Sequence, residues 1–205
     1  MKFILFVEGK TEQKSIPAFL KRWLDPQLKQ PVGIKPVKFE GWAELVKDAP
    51  VKAGMYLANP DVIAVISLLD LYGPTIYPGH AVSAEDRITW GRQHMEKLVG
   101  QNRFRHFFAV HEVEAWVLSD ASLLPPPVRK GLPAGAKQPE TVNFDTPPAV
   151  LLDRLYTQAT GRGYKKVAYG KDLFGKLDPG VAYAKCPQLK ALLDEMLALA
   201  KGAGL

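Results

Sequence analysis

The chain has 205 residues, of which 47% are hydrophobic, and a formal net charge of +6. Length and composition are typical of one globular domain with a sizeable core, and the modest positive charge is compatible with a polyanionic partner without requiring one. The single cysteine, Cys186, excludes an internal disulfide and a cysteine-based zinc site and fits a reducing cytoplasm. The first apolar run stops at Glu8, too soon for a signal or membrane-spanning segment, so we expect a soluble cytoplasmic protein without a membrane partner.

The chain opens with an apolar run, Phe3 to Val7, which predicts a short strand buried on both faces. Glu8 ends the run, Gly9 is expected to supply a tight turn, and Thr11 is the expected N-cap of the helix that follows. This order predicts that Glu8 lies at the carboxyl edge of an α/β sheet, where binding sites form.

The next elements lead to a second carboxylate. Residues 31–39 alternate weakly and contain two prolines, which indicates an edge or irregular strand. A helix is expected from Gly41 to Met55, interrupted at Pro50. The continuous apolar run from Val62 to Leu69 is typical of a central strand, and Asp70 follows it directly.

A third strand also ends among carboxylates. After a loop over residues 71–83, a helix is expected at residues 86–99 and a strand at residues 104–110. The strand runs into His111-Glu112-Val113-Glu114, where a short helix is expected to begin. Acidic side chains therefore follow three predicted strands, and chance explains three such placements less easily than one.

The last third of the chain is predicted to be helical. Residues 124–148 are rich in proline, glycine and lysine, which indicates a long loop or a mobile lobe. Helices are expected at residues 148–160 and 187–201, with a basic turn at residues 161–167 and a helical turn at residues 178–184 between them.

Hard divalent cations prefer carboxylate oxygens, and magnesium is usually held by one or two carboxylates, water and a substrate phosphate. Glu8 and Asp70, at the tips of two buried strands, would supply such a pair. The alternative is that Glu8 pairs with Lys10 and that Asp70 caps the turn at residues 72–73. The shared strand-end placement favours the metal site. Gly9-Lys10-Thr11 lacks the first glycine of a phosphate-binding P-loop, so we expect no ATP site there.

The strand that ends in Val7-Glu8-Gly9-Lys10-Thr11-Glu12, followed by a helix and a buried strand ending in Asp70, resembles the Toprim (topoisomerase–primase) domain. The resemblance implies an α/β fold with a mainly parallel sheet and a magnesium site for phosphodiester chemistry. That site is built from a strand-end glutamate, matched here by Glu8, and an Asp-x-Asp motif, whose first aspartate is matched by Asp70. Tyr72 stands at the position of the second aspartate.

An ordered set of motifs is similar to a bacterial Toprim-like family of domains of unknown function: the VEGKTE start, Asp-x-Tyr-Gly at 70–73, His-Glu-x-Glu-Ala at 111–115, Tyr-Lys-Lys at 164–166 and Cys-Pro at 186–187. The Toprim group includes nucleases of the overcoming-lysogenization-defect type, and the resemblance to the family of unknown function implies a metal-dependent nuclease subunit that accompanies an ATPase in phage defence.

Either Glu112 or Glu114 could replace the missing aspartate, and we favour Glu112, with Glu114 as second choice. The segment is no zinc-binding His-Glu-x-x-His motif, because Ala115 stands at the position of the second histidine. The alternative is that Glu112 caps the following helix and that His111 is a core histidine.

Basic and aromatic residues of the late turn form a second candidate group. With Lys10, they are expected to bind nucleic acid or the cleaved phosphate; the residues are Lys10, Arg162, Tyr164, Lys165 and Lys166. The alternative is a solvated basic loop. Among the histidines, His80 has the best case for a role near Asp70.

We therefore predict an α/β, Toprim-like fold with a mainly parallel central sheet flanked by helices. Its expected parts are a core at residues 1–123, a Pro/Gly-rich loop or small lobe at residues 124–147, and a helical C-terminal extension at residues 148–205 packed on the core.

The expected activity is cleavage of DNA or RNA with Mg²⁺ or Mn²⁺. The predicted catalytic residues are Glu8, Asp70, Glu112 and Lys10. The predicted metal ligands are Glu8, Asp70, Glu112 and Glu114. The alternatives are a catalytically inactive binding or regulatory subunit of an ATPase complex and, less favoured, a phosphotransferase or phosphatase. The oligomeric state is left open.

Overall fold

A computed structural model describes residues 1–141 and 146–205. Its sheet has four parallel strands in the order β2-β1-β3-β4. The strands are β1 (Lys2–Val7), β2 (Gly33–Lys38), β3 (Val62–Asp70) and β4 (Phe104–Ala109). The predicted α/β class with a parallel central sheet flanked by helices is confirmed.

The described residues also contain α-helices on both faces of the sheet, joined by short 3₁₀ turns. They are α1 (Lys10–Leu24), α2 (Trp42–Leu57), α3 (Ala84–Val99), α4 (Glu114–Leu118), α5 (Pro126–Lys130), α6 (Pro148–Thr160), α7 (Lys166–Lys176), α8 (Pro179–Lys185) and α9 (Pro187–Gly202). Among these residues, no helix has the length and apolar character needed to cross a bilayer.

The strand order explains where the acidic residues gather. β1 and β3 are central and almost wholly buried, which fits their unbroken apolar sequences. β2 lies at one edge of the sheet. This position suits its Pro36, because proline has no backbone N–H with which to bond a second neighbouring strand. In register, Val7 lies beside Leu68, and Asp70 lies beside Ala109. The carboxyl ends of β1, β3 and β4 therefore meet at one edge of the sheet.

Each face of the sheet packs on its own apolar cluster. One cluster contains residues of α2 and α3, and the other contains residues of α1 and of the C-terminal helices. In the second cluster, Trp116 stacks on Phe19 and meets the edge of Phe174, so three distant segments share one core. The three-part division of the chain stays a prediction, and residues 142–145 of the expected lobe lie outside the described part.

The N-cap of α1 and the course of α2 differ from those predicted. Thr11 is not the N-cap, because α1 begins at Lys10 and Gly9 occupies that position. Helix α2 continues through Pro50, since its buried face, including Ala49 and Ala53, packs on the sheet. This packing offsets the cost of about 3 kcal/mol that an internal proline carries.

Helix α7 was not predicted at all. Gly170 and Gly175 weaken its helical pattern, and its first turn reads as a basic loop. Tertiary packing compensates, because Leu173 and Phe174 are buried against the core. A Cβ at Gly170 would lie 2.9 Å from Thr11 Cγ2, so glycine permits the close approach of α7 to α1.

Candidate functional site

Glu8 and Asp70 are in contact at the sheet edge. Glu8 Oε1 accepts a hydrogen bond of 3.2 Å from the backbone N–H of Asp70. Asp70 Oδ1 accepts one of 3.1 Å from the N–H of Val113, in the turn that leads from β4 into α4. The three strand ends are thereby tied together through carboxylate oxygens. No ion pair between Glu8 and Lys10 is found within the described residues.

Glu12, one turn into α1, is a further buried acid at this edge. Its carboxylate folds back over Gly9, where an added Cβ would lie 2.5 Å from Glu12 Oε2. Gly9 has φ −140°, an extended conformation open to any residue. Gly9 lies in the expected tight turn between β1 and α1, but glycine is needed there for its small size, which leaves room for the Glu12 carboxylate.

Glu112 and Glu114 reach the edge from the segment after β4. Glu112 Oε2 accepts a 2.8 Å hydrogen bond from the N–H of Ala149, in the first turn of α6. The alternative interpretation expected Glu112 to cap the helix that follows it. Glu112 instead caps α6, which is distant in the sequence. Glu114 begins α4 and is completely buried, and neither of its oxygens accepts a hydrogen bond within the described part of the chain.

Lys166, the first residue of α7, is the cation of the cluster. Its Nζ donates to Glu112 Oε1 at 2.9 Å and lies 3.4 Å from Glu114 Oε2. Glu8, Glu12, Asp70, Glu112 and Glu114, here called the carboxylate cluster, therefore gather around a single ammonium group.

Burial and mutual repulsion make these acids hard to ionise. Burial, followed by repulsion from Glu12 and Glu112, raises the pKa of Glu8 to about 7 despite the Asp70 amide and Lys166. Burial is also the main cause that raises the pKa of Glu114 to about 7, with Lys166 opposing it. Burial is also the main cause that raises the pKa values of Asp70 and Glu12. Burial alone would lower the pKa of Lys166, but Glu114, Asp70 and Glu112 raise it overall.

The cluster suits a divalent cation in the kind of donor it offers. Its side chains carry carboxylate oxygens, the ligand atoms that magnesium and manganese prefer, and no described residue donates a hydrogen bond to the Glu114 oxygens. As the described side chains stand, however, no three Asp, Glu, His or Cys residues are placed to hold one ion. The ammonium of Lys166 occupies the space between Glu112 and Glu114.

The predicted phosphate-binding residues are divided among several places. Lys10 is exposed and lies near Glu40. Arg162 lines a separate cavity of about 640 Å³ with Tyr169 and Lys176. Tyr164 is no surface residue, because its ring is buried between Tyr156 and Tyr169.

Lys165 and Lys166 line a groove of about 820 Å³ between α1 and α7, called here the lysine groove. Lys14 and Lys171 complete its basic lining, to which no acidic residue of the described part of the chain contributes. The groove meets the carboxylate cluster at Lys166, because this side chain belongs to both. His80 is exposed and lies near Asp86, away from the cluster.

Sequence reasoning missed Glu12 as a site residue. The signal that could have found it is its spacing: Glu12 is four residues after Glu8, and a helix that begins at Lys10 turns its first-turn side chains back toward the strand end. Tyr72, at the position of the second Toprim aspartate, is 47% exposed.

Comparisons with known proteins place the chain in a family. The model of a family described as "Domain of unknown function (DUF4276)" matches residues 7–197. Over 98% of this chain and 97% of the other, the fold is similar to the C-terminal region of the Burkholderia pseudomallei OLD protein, with 18% identity and a TM-score of 0.48. For the corresponding region of the Xanthomonas campestris pv. campestris OLD protein, the coverage is 98% and 94%, with 17% identity and a TM-score of 0.49. No curated protein gives a significant match. The expected family of domains of unknown function is confirmed: the chain belongs to the DUF4276 family.

Proposed function

We propose that the protein is a metal-dependent nuclease that hydrolyses phosphodiester bonds of DNA or RNA at the carboxylate cluster. The observation that carries this proposal is the convergence of five acidic side chains from three strand ends and α1 on the edge of a parallel sheet. A structural role would not require so many acids, because burying several carboxylates beside one lysine opposes folding.

The residues of the carboxylate cluster and Lys166 would have different roles in this reaction. Glu8, Asp70 and Glu112, together with Glu12 and Glu114, would hold Mg²⁺ or Mn²⁺, which when bound would offset phosphate charge and activate water. The Asp70 and Val113 amides hold two of the carboxylates in fixed orientations, and the Ala149 amide holds a third. The ammonium of Lys166 would face the negative charge that develops on the phosphate.

The lysine groove is the proposed path of the nucleic-acid strand. Phosphates flanking the cleaved bond would lie along Lys14, Lys165 and Lys171, whose side chains are exposed and whose groove is lined by no acid among residues 1–141 and 146–205. Since the groove begins at Lys166, a strand bound in it would present one phosphate to the carboxylate cluster. Lys10 and Arg162 remain candidates for contacts further along the strand.

Cleavage of labelled single- and double-stranded DNA and RNA by the purified chain tests the proposal. We expect products with Mg²⁺ or Mn²⁺ and none with EDTA. Asp70→Asn, which keeps an oxygen for the Val113 amide but removes the charge, should lower the rate at least about 100-fold. Asp61→Asn, at an exposed position, is the matched control. If Asp70→Asn cuts as fast as the wild type, the proposed site is wrong.

Charge reversal in the lysine groove should weaken the binding of a nucleic-acid strand in the absence of metal. For Lys165→Glu with Lys171→Glu, we expect about tenfold weaker binding of a single-stranded oligonucleotide in EDTA and a shallower dependence of affinity on salt. Fluorescence anisotropy measures both quantities, and Lys201→Glu, exposed on α9, is the control. Equal loss in all variants would indicate only a general charge effect.

A second candidate is a non-catalytic binding or regulatory subunit. Tyr72 at the position of an expected aspartate and the lack of a ready three-ligand set among the described residues favour it. The absence of cleavage by the wild type with either metal would support this candidate. For both candidates, an ATPase partner and a role in phage defence are proposed from the resemblance of the ordered motifs alone.

A further inference from the structure

We propose that Lys166 is a resident counter-ion of the carboxylate cluster, and that a divalent cation must displace its ammonium from Glu112 and Glu114 in order to bind there. This inference rests on the proposed function, because it concerns how the same site is loaded. It adds that the cluster exists in two states, one closed by the lysine and one open to metal.

The Lys166 ammonium and a divalent cation cannot both occupy the space between Glu112 and Glu114. Lys166 Nζ lies 2.9 Å from Glu112 Oε1 and 3.4 Å from Glu114 Oε2, so it stands between the two carboxylates. A magnesium ion requires oxygen ligands at about 2.0–2.1 Å. An ion bound to these same oxygens would lie against the ammonium, and two positive charges in a half-buried space repel strongly.

The buried acid explains why the lysine is there. Glu114 is 0% exposed, and within the described residues Lys166 is the cation with which it forms an ion pair. Removing one member of a buried ion pair leaves a charge without compensation, which is strongly unfavourable. In the metal-free protein, Lys166 therefore supplies the positive charge that a metal would otherwise supply.

The position of Lys166 gives its ammonium a way out. The side chain is 38% exposed and lines the lysine groove, so rotation of its long stem would move the ammonium toward solvent. Lys166 begins α7, and its backbone can stay in place during this movement because Leu173 and Phe174 anchor the helix. The displaced ammonium would lie where the groove can hold a phosphate.

Calorimetric titration of the full chain with Mn²⁺ tests the competition. We expect Lys166→Met to bind Mn²⁺ about tenfold more tightly than the wild type, because the metal no longer has to displace a cation. Lys165→Met, which removes the exposed neighbouring charge, should bind like the wild type. Equal or weaker binding by a folded Lys166→Met protein would overturn the inference.

A measurement on the wild type covers the case in which Lys166→Met does not fold. Saturating Mn²⁺ should increase acetylation of Lys166 by a water-soluble reagent several-fold, as read by mass spectrometry, while Lys165 stays unchanged. Mn²⁺ binding with Lys166 still protected would contradict displacement and leave the proposed function standing. No Mn²⁺ binding by either protein would instead contradict the proposed metal site.

Discussion

Glu8→Gln is expected to lower metal-dependent cleavage at least about 100-fold while the protein keeps its fold. The amide oxygen of glutamine can still accept the hydrogen bond that the Asp70 N–H donates to Glu8 Oε1, so the strand ends stay connected. What the variant removes is the negative charge at the tip of β1, which the proposed metal requires.

Cleavage rates of Glu8→Gln and the wild type at saturating Mg²⁺ and Mn²⁺ test this expectation. Glu195→Gln, a change of the same kind at a half-exposed ion pair with Arg105, should keep wild-type activity. Thermal unfolding should show that both variants are folded. A Glu8→Gln protein with wild-type rates would exclude Glu8 from the chemistry, whatever its place in the cluster.

The metal-free protein should become less stable as the pH rises from 5.5 to 7.5. The carboxyl groups of Glu8 and Glu114 have pKa values of about 7 in the folded chain, above the ordinary value of 4.5. Between these values the folded state binds more protons than the unfolded state, so the free energy of unfolding falls with rising pH. The stabilisation is complete below the ordinary pKa and is lost as the pH passes through about 7.

Urea unfolding in EDTA at several pH values measures this slope. We expect a total loss of about 1–3 kcal/mol across the window, since a unit shift in pKa corresponds to about 1.4 kcal/mol. The buried His106, whose pKa is lowered to about 3, titrates with the opposite sign and offsets part of the loss. Glu114→Gln, which cannot ionise, should flatten the slope. Identical slopes for Glu114→Gln and the wild type would show that Glu114 does not titrate with folding.

The strands and their acidic ends could be predicted because short-range patterns fix them. Continuous apolar runs identified β1 and β3 as buried strands, and the prolines of the segment that forms β2 indicated an edge strand. The strand-end residues Glu8 and Asp70 then had to meet at one edge, and they do.

What the sequence pattern could not supply was the tertiary partner of each acid. The capping of α6 by Glu112 joins residues 37 apart along the chain, and the ion pair of Lys166 with Glu112 joins residues 54 apart. Helix α7 has a weak helical sequence pattern and forms because it packs on α1 and the core. The sequence pattern alone therefore assigned Lys166 to a loop. Glu12 was missed because the N-cap of α1 was placed at Thr11, two residues after the observed N-cap, Gly9.

The double engagement of Glu112 makes the C-terminal helices part of the charge balance at the sheet edge. One of its oxygens holds the first turn of α6, and the other holds the ammonium at the start of α7. If either helix were to shift, the strand ends would lose positive partners and their acids would repel one another more strongly. A protein that pressed on the outer surface of α6 or α7 could therefore alter the charge state of the site without touching it.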